Sequence, residues 1–458
     1  MRDQDLTEGP IAGHFRTLAV PAAMGMLFST LYNVVDVYFA GQLSTDAQAG
    51  LAIGFQAFFI MMAVGFGTGS AMAALVGNAR GKKDDAAARN TAMQGLSFAV
   101  VVTMLLIVVG YFGGPLLIAL VSEPGAYRDA AQGYFFWLLA ALPGFLIAYA
   151  ANGILQAHGD SVSMQRAMMV AFFANIVLNP LFIYGIPGVV PGIGFNGIAL
   201  ATVVSQTGVM LFLLRAVLRL RVIQGAQVSE LRPKLGRYRE IFLQMIPTAS
   251  AFIVMFVSGF VVQYALKGFG GHAIAAYGIA LRIEQILLLP VLGMTGALLP
   301  IAAQNFGAGN HDRVREAVWF CWKLGFVMTI GAAPILWFGG GLAMSLFTDD
   351  QPVIDVGISY LRVDSFLFIL YMMLFSINSL LQALKRPVWT LWISIYRQGF
   401  GVAFFVWLLI GVVGMDVWGV WLGIGIAVST GWVIAVIVAS RIAGQEIGGL
   451  RSAQVSVV

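Results

Sequence analysis

Long apolar stretches alternate with short polar segments along the whole chain. Each stretch has about 20 residues or more, which is the length that a helix needs to cross the hydrocarbon core of a bilayer. The pattern predicts twelve membrane-spanning helices at approximately residues 16–40, 51–76, 93–121, 131–157, 162–186, 195–219, 240–266, 273–303, 317–347, 357–384, 388–413 and 417–441. We therefore expect an all-α polytopic membrane protein.

Three short motifs of the first half recur in the second half at a nearly constant offset of 226, 227 and 226 residues. They are Pro21-Ala22-Ala23 with Pro247-Thr248-Ala249, Thr68-Gly69-Ser70 with Thr295-Gly296-Ala297, and the run from Asn152 to Ala157 with the run from Asn378 to Ala383. The repeat predicts two pseudo-symmetric six-helix bundles, residues 1–219 and 240–458, joined by a basic linker, residues 220–239. Because six is an even number, both bundles enter the membrane from the same side, as in transporters built from parallel repeats.

Basic residues are concentrated in alternate loops, as the positive-inside rule requires. The loops expected in the cytoplasm carry Arg80, Lys82, Lys83, Arg89, Arg166, Arg313, Arg315, Lys385 and Arg386, and the longest of these loops adds seven more between Arg215 and Arg239. The opposite loops hold Arg128 and Lys267. This distribution predicts a multi-pass protein of the inner (cytoplasmic) membrane with both termini cytoplasmic. It also favours contact of the linker with anionic lipid over binding of nucleic acid.

Composition agrees with this class of protein and narrows its chemistry. The chain is 59% hydrophobic and 10% charged, whereas water-soluble domains are roughly 25% charged. A single cysteine, Cys321, excludes a disulfide within the chain. The sequence has neither a His-Glu zinc motif nor a Walker loop, so we expect neither an enzyme nor a cofactor, and ion gradients rather than ATP would drive any pumping.

The most informative residue is Asp36, an ionisable carboxyl inside the first apolar span. A charge at that depth is costly, so it is by default a functional-site hypothesis. Asn175, Asn179 and Thr202 lie at similar distances from the outer ends of spans five and six. Asn175 and Asn179 are four residues apart and share one helix face. The spacing therefore predicts that these four side chains meet in the outer half of the first bundle.

This set of groups suits a small ion. A carboxyl that has lost its hydration can bind and release a proton, and carboxylate, amide and hydroxyl oxygens together would also suit sodium, a hard cation. An alternative interpretation is that Asn175, Asn179 and Thr202 hold helices together by interhelical hydrogen bonds. That alternative is weaker for Asp36, because packing does not require a carboxyl where an amide would serve.

Four segments resemble the multidrug and toxic compound extrusion (MATE) family, and the similarity covers essentially the whole chain. They are Tyr32 to Asp36, Gly65 to Gly69, Asn175 to Pro180 and Pro300 to Gly309. The resemblance implies a V-shaped pair of six-helix lobes that exports organic, often cationic compounds in exchange for protons or sodium. It also implies that Asp36, Asn175, Asn179 and Thr202 couple the ion. Some members have an aspartate where this chain has Asn179. The site here therefore carries fewer formal charges, which weakens the binding of a cation and favours protons over sodium.

The second half does not copy this site, because the residue that corresponds to Asp36 is Val262. Spans eight, ten and eleven carry other charged residues instead, namely Arg282, Glu284, Arg362, Asp364 and Arg397. We expect Glu284 to pair with Arg397, either as a structural ion pair or in substrate or proton handling. Other members of the family place acids in spans seven and ten at positions where this chain has none. The DinF-like branch, with coupling in the first lobe, therefore fits better.

Several methionines, aromatic residues and charged residues are candidates for lining a substrate cleft, since methionine and aromatic side chains make adaptable surfaces that attract organic cations. The candidates are Met24, Phe28, Tyr32, Met61, Phe252, Met255, Arg282, Glu284 and Met372. Packing or lipid contact is the alternative for each of them. We expect a monomer that exports small organic molecules. The second hypothesis is a lipid-linked oligosaccharide flippase of the same superfamily, for which Arg282, Arg362 and Arg397 are the available cationic residues.

Overall fold

The computed structural model describes residues 4–186 and 188–450. Within these residues, twelve helices are long and apolar enough to cross a membrane, which confirms the twelve predicted spans. They are α1 (Ile11–Leu43), α2 (Thr45–Gly81), α3 (Asp85–Val121), α4 (Ala126–Gln156), α5 (Val162–Tyr184), α6 (Asn196–Leu218), α7 (Leu235–Leu266), α8 (Gly271–Gly307), α9 (His311–Ser345), α10 (Gln351–Ala383), α11 (Val388–Val412) and α12 (Val417–Ile447).

Most of these helices extend beyond the apolar stretches that predicted them. The side chain of Ser44 accepts a hydrogen bond from the backbone N–H of Ala47 at the start of α2, and Asp84 accepts one from Ala87 at the start of α3. Such caps satisfy backbone donors that a helix end leaves unpaired. The first turns of α3 are polar, so hydropathy placed its start at residue 93 instead of Asp85.

The connection between α5 and α6 fixes the relative position of these two helices. It contains two short antiparallel strands, β1 (Gly185–Ile186) and β2 (Val190–Pro191). At the start of α6, a Cβ atom on Gly197 would lie 2.6 Å from the backbone nitrogen of Ile183. Glycine is therefore required for the close approach of the two backbones. The end of α5 and the beginning of α6 are held side by side, which positions the polar residues that they carry.

Helix α11 departs from regular α geometry in two places. Residues Ile395–Gly401 and Leu408–Val412 form π-helical turns, in which the backbone is wound more widely than in an α-helix. Two short α-helical segments, Val388–Ser394 and Val402–Trp407, complete the helix. Such π turns are rare in proteins, and those that occur are often found at functional sites. The first of them carries Arg397.

The helix boundaries keep the repeat that was found in the sequence. Helices α2 and α8 each contain 37 residues, and their first residues, Thr45 and Gly271, are 226 positions apart. The first residues of α5 and α11, Val162 and Val388, are separated by the same number. The two halves of the chain thus share one helical plan.

The described chain divides into two compact units. Unit 1 contains residues 4–6 and 20–249, and unit 2 contains residues 7–19 and 250–450. These limits differ from the predicted domain boundaries at 219/220 and 239/240. Helix α1 begins in unit 2 and continues in unit 1, with the change just before Pro21, and α7 begins in unit 1 and continues in unit 2, with the change just after Pro247.

Hydrogen bonds explain why the linker belongs to unit 1. The buried side chain of Gln94 on α3 donates to the backbone carbonyls of Glu230 (2.5 Å) and Arg232 (2.9 Å), and its Oε1 accepts from the backbone N–H of Lys234 (2.9 Å). One amide therefore holds three backbone groups of the linker. In unit 2, the guanidinium of Arg313 donates to the carbonyl of Gly9 (2.8 Å), which ties the segment before α1 to α9.

Candidate functional site

Helices α1, α5 and α6 bring the four predicted coupling residues into direct contact. The carboxylate of Asp36 is 3% exposed. Its Oδ1 accepts hydrogen bonds from the side-chain amides of Asn175 and Asn179, both at 2.9 Å, and its Oδ2 accepts one from the hydroxyl of Thr202 at 3.3 Å. Helix α1 thus meets at this acid two helices whose residues lie 139 to 166 positions further along the chain.

The two asparagines form a rigid pair on one face of α5. They are one helical turn apart, and the amide of Asn179 also donates to Oδ1 of Asn175 at 3.1 Å. Both side chains are fully buried. Because a buried amide network with satisfied donors has few alternative arrangements, the orientation of the pair toward Asp36 is well defined.

The hydrogen-bond partners of Asp36 are all neutral groups. Three donors stabilise an ionised carboxylate, but they do not neutralise its charge. A buried charge is normally paired with an opposite charge or coordinates an ion. The site is therefore suited to a bound positive charge, which a proton or a small cation would supply.

A small cavity lies next to the carboxylate. Its volume is about 30 Å³, which is enough to hold at least one water molecule. The polar residues of its wall are Ser29, Tyr32, Asn33, Asp36, Thr202 and Gln206. The apolar part of the wall consists of Phe55, Met62, Tyr134, Leu138 and Phe145. The cavity gives a small ion or a water molecule room beside Asp36.

Further oxygen atoms surround the same acid. The hydroxyl of Tyr32 lies near Thr202, Ser205 and Asn175. The Tyr32 hydroxyl, the Ser205 hydroxyl and Oδ1 of Asn179 are buried without a well-formed hydrogen bond to the described residues. Buried polar groups are rarely left in this state. These oxygens are therefore available to a ligand of the site.

The residues predicted to line a substrate cleft are found in different environments. Tyr32 lies in the wall of the cavity described above. Phe28 packs on Phe172, with ring centroids 5.9 Å apart, and Met24 and Phe252 are half-buried. Met255 and Arg282 are exposed. Exposure or partial burial leaves this last group of four candidates, Met24, Phe252, Met255 and Arg282, able to contact a substrate or lipid.

Two further candidates for lining a cleft are Met61 and Met372. Both side chains lie in the interior of their units. Met61 fills the space above Gly110 on α3, and Met372 fills the space above Gly325 on α9. A flexible thioether placed over a glycine is a packing solution that fills an irregular gap. The sequence pattern could not distinguish this role from a surface that binds substrate.

Three charged residues of the second half, Glu284, Asp364 and Arg397, form a separate group in unit 2, and both acids are buried. Glu284 is 7% exposed, and its hydrogen-bond partner is Tyr360, whose hydroxyl donates to Oε2 at 2.6 Å. The predicted partner, Arg397, acts on Glu284 through its charge. Its guanidinium carbon lies 6.0 Å from the centre of the Tyr371 ring. Arg362 is exposed and lies over the ring of Trp337.

Several residues of these sites were missed in the sequence analysis. Tyr134 and Gln206 in unit 1 and Tyr360 in unit 2 are the principal ones. One signal could have identified two of them, because Tyr134 and Tyr360 are separated by the same 226 residues as the repeated motifs. Ser205 and Gln206 gave no such signal, since short polar residues are common in membrane helices.

Comparison with known proteins agrees with the architecture. The profile of the MatE family matches twice, over residues 21–181 and 247–407, which are offset by 226 residues. The chain is 25% identical to the FAD transporter of Shewanella oneidensis, with 78% of each chain covered, and 23% identical to the multidrug export protein MepA of Staphylococcus aureus, with 84% of each covered. It is also 25% identical to the probable multidrug resistance protein YoeA of Bacillus subtilis, with 88% of each covered.

Solved structures show the same fold. An outward-facing multidrug resistance MATE family transporter superposes with a TM-score of 0.88 at 22% identity and covers 97% of this chain and 98% of its own. A transporter of the same superfamily from Pyrococcus furiosus gives a TM-score of 0.88 at 22% identity, with 96% and 97% covered. With two family matches that together span most of a chain of twelve membrane helices, this protein belongs to the MatE family and is a multi-pass membrane transporter.

Proposed function

We propose that this chain is a secondary active antiporter that exports organic, often cationic compounds in exchange for protons by alternating access. The observation that carries the proposal is the buried carboxylate of Asp36 with three neutral donors and a cavity of ionic size beside it. A site of this kind can gain and lose one positive charge. The protein lies in the inner membrane of the cell, with both termini in the cytoplasm.

The hydrogen bonds around Asp36 support protonation at one particular oxygen. Oδ1 faces two amide N–H groups, which donate and cannot accept. Oδ2 faces the hydroxyl of Thr202, which can donate or accept depending on its rotation. A proton on Oδ2 would therefore be accommodated by rotation of one hydroxyl, and Thr202 could then donate to the nearby Tyr32. Binding of a proton would reverse this part of the network without disturbing Asn175 and Asn179.

Exchange for sodium is the alternative, and a specific observation supports it. Oδ1 of Asn179 and the hydroxyls of Tyr32 and Ser205 are buried near the carboxylate without well-formed hydrogen bonds. Together with Asp36 and Thr202 they offer an oxygen-rich set that suits a hard cation. Only one of these groups, Asp36, carries a formal charge, which favours the proton.

The test is efflux of a fluorescent organic cation from proteoliposomes with an imposed pH gradient or an imposed sodium gradient. We expect the pH gradient to drive efflux in the wild type, and Asp36→Asn to abolish it while the protein remains folded and inserted. Asp46→Asn, which changes an exposed aspartate at the start of α2, is the matched control and should transport normally. Full gradient-driven efflux by Asp36→Asn would refute the proposal, and efflux driven by sodium alone would replace the proton with sodium.

One relative suggests a further substrate to test. The relative from Shewanella oneidensis is a FAD transporter, and FAD is a large anionic dinucleotide. Competition between FAD and the fluorescent cation in the same vesicles measures whether this chain accepts such a molecule. Because the MepA and YoeA relatives are named for multidrug export and resistance, we expect the cation to be exported and FAD to compete weakly.

A further inference from the structure

Unit 2 contains a second group of buried ionisable residues that the proposed coupling site does not use. Glu284 on α8 and Asp364 on α10 are 7% and 1% exposed. Arg397, on the first π-helical turn of α11, is half-buried, and its side-chain stem packs against Gly431 of α12. Two carboxyls and one guanidinium thus share the interior of one bundle. With both acids ionised, this group would carry one uncompensated negative charge.

The two acids have unequal surroundings. Glu284 accepts a hydrogen bond of 2.6 Å from Tyr360, and the positive charge of Arg397 acts on it. A hydrogen bond to a charged group and a nearby cation both stabilise an ionised carboxylate. Glu284 is therefore the acid that this environment supports in its charged form.

Asp364 has neither form of support. Both of its carboxyl oxygens are buried, and neither has a hydrogen-bond partner among the described residues. The charge that acts on it is the like charge of Glu284. An isolated ionised carboxylate in such a place costs several kcal/mol, and a buried group avoids this cost by becoming neutral. One proton on Asp364 would remove both the unpaired charge and the repulsion.

The titratable groups that surround Asp364 come from α8, α10 and α11. Helix α8 contributes Glu284 and Tyr277, and α10 itself contributes Tyr360 and Tyr371. From α11, Arg397 acts on Glu284 and Tyr371. Helix α12 contributes Trp421, whose ring stacks on Tyr277 and which cannot titrate. The surroundings are thus aromatic, and the nearby positive charge of Arg397 disfavours a metal cation relative to a proton.

The repeat gives independent support. Subtraction of 226 places Tyr360 at Tyr134 and Asp364 at Leu138. Both of those residues line the cavity beside Asp36 in unit 1. Asp364 therefore occupies the position in unit 2 that corresponds to Leu138, a wall residue of the cavity beside Asp36 in unit 1. The carboxyl of this region comes from α1 in unit 1 and from α10 in unit 2.

From these contacts we propose that Asp364 is a second proton-binding carboxyl of this transporter, which binds and releases a proton in unit 2 independently of Asp36, with Glu284 and Arg397 as its charge partners. The step is a simple transfer in which an O–H bond forms on Asp364 and the proton comes from the aqueous phase. The π-helical turn that carries Arg397 is the backbone element best suited to adjust to the change of charge.

The test is infrared difference spectroscopy of the purified full-length protein in lipid, recorded over a series of pH steps. The carbonyl band of a protonated carboxyl reports proton binding directly and does not depend on transport. We expect Asp36→Asn to keep part of the titrating band, Asp364→Asn to keep the other part, and the double variant to lose both. Asp355→Asn changes an exposed aspartate on the same helix and should leave the band unchanged.

If the double variant shows the same titrating carbonyl band as Asp36→Asn alone, Asp364 does not bind the proton and the proposal is overturned. Disappearance of the Asp364 band on addition of sodium at constant pH would also overturn it, because sodium would then be the ligand. If Asp364→Asn does not fold, Glu284→Gln in the Asp36→Asn background replaces it. That variant should move the pH at which the remaining band titrates, and an unmoved band would reject the cluster. Efflux by Asp36→Asn tests the proposed function separately, since neither result depends on the other.

Discussion

Both units contain a carboxyl inside a helical bundle, but the groups that surround it differ. In unit 1, Asp36 receives three hydrogen bonds from neutral groups and lies beside a cavity. In unit 2, Glu284 has one hydrogen bond and the charge of Arg397, while Asp364 has neither. The two halves therefore share one arrangement of helices but carry their charged residues at different positions. A carboxylate held by neutral donors can exchange a small ion, whereas one held by a fixed cation is already compensated.

The strongest way to break this comparison is to remove the cation of unit 2. Arg397→Met should lower the free energy of unfolding by about 3 kcal/mol, because the interior then loses the cation that compensates Glu284. Unfolding in mixed detergent micelles measures the effect. Arg362→Met is the matched control, since this exposed arginine also lies over an aromatic ring, and its loss should cost less than about 1 kcal/mol. Equal stability of the two variants would mean that the charge of Arg397 does not hold unit 2 together.

The repeated tyrosines give a sharper comparison at equivalent positions. Tyr360→Phe removes the hydroxyl that donates to Glu284 and should cost about 2 kcal/mol, which is typical of a hydrogen bond to a buried charge. Tyr134→Phe at the equivalent position of unit 1 should cost less than about 0.5 kcal/mol, because its hydroxyl is not part of the hydrogen-bond network of Asp36. The same unfolding experiment applies to both. If the two costs were similar, the tyrosine would serve packing in both units.

The sequence was sufficient to predict the helices and the meeting of four residues at Asp36. The apolar stretches, the repeat and the i, i+4 spacing of Asn175 and Asn179 determine that geometry, since each fixes a helix or a helix face. Polar helix ends were underestimated because caps such as Asp84 extend helices into polar segments that hydropathy excludes. The units also differ from the predicted domains, because Gln94 binds the linker to α3 by contacts between residues about 140 positions apart.

The environment of each acid in unit 2 could not be predicted from the sequence. Glu284 was expected to pair with Arg397, but its hydrogen bond comes from Tyr360, which lies 76 residues away on another helix. Whether Asp364 has partners depends on side-chain orientation inside a bundle of six helices, and spacing alone does not contain that information. Met61 and Met372 show the same limit, because a methionine over a glycine and a methionine in a binding surface have the same sequence pattern.

A smaller effect separates the role of Thr202 from that of the two asparagines. The position equivalent to Thr202 in unit 2 is Val428, which is buried. Thr202→Val therefore makes the two units alike at this point and removes the longest of the three hydrogen bonds to Asp36, at a cost of about 1 kcal/mol. We expect proton-driven efflux to fall several-fold without being abolished, whereas Thr202→Ser should retain it. Abolished efflux in Thr202→Ser would show that the methyl group, and not the hydroxyl, is required.

The smallest expected effect concerns His158, in the turn between α4 and α5, where unit 2 has Leu384. Burial, together with the positive charge of Arg80, lowers the pKa of His158 to about 3. Its Nδ1–H donates to the carbonyl of Ile154 at 2.8 Å, an arrangement that suits the neutral ring. The folded protein therefore leaves this ring unprotonated at pH values where the unfolded chain, with a histidine pKa near 6.5, protonates it.

Stability contributed by His158 is thus complete above about pH 6.5 and is lost progressively as the pH falls toward 3. Between pH 7 and pH 6 the loss through this group is about 0.7 kcal/mol. His158→Leu removes the group and gives unit 1 the residue of unit 2, so the difference in unfolding free energy between the two pH values should shrink by that amount. Comparing each protein with itself at two pH values cancels the cost of the lost hydrogen bond to Ile154. An unchanged pH dependence would mean that the folded protein protonates the ring as readily as the unfolded chain does, and that burial in the turn does not disfavour the charged imidazole.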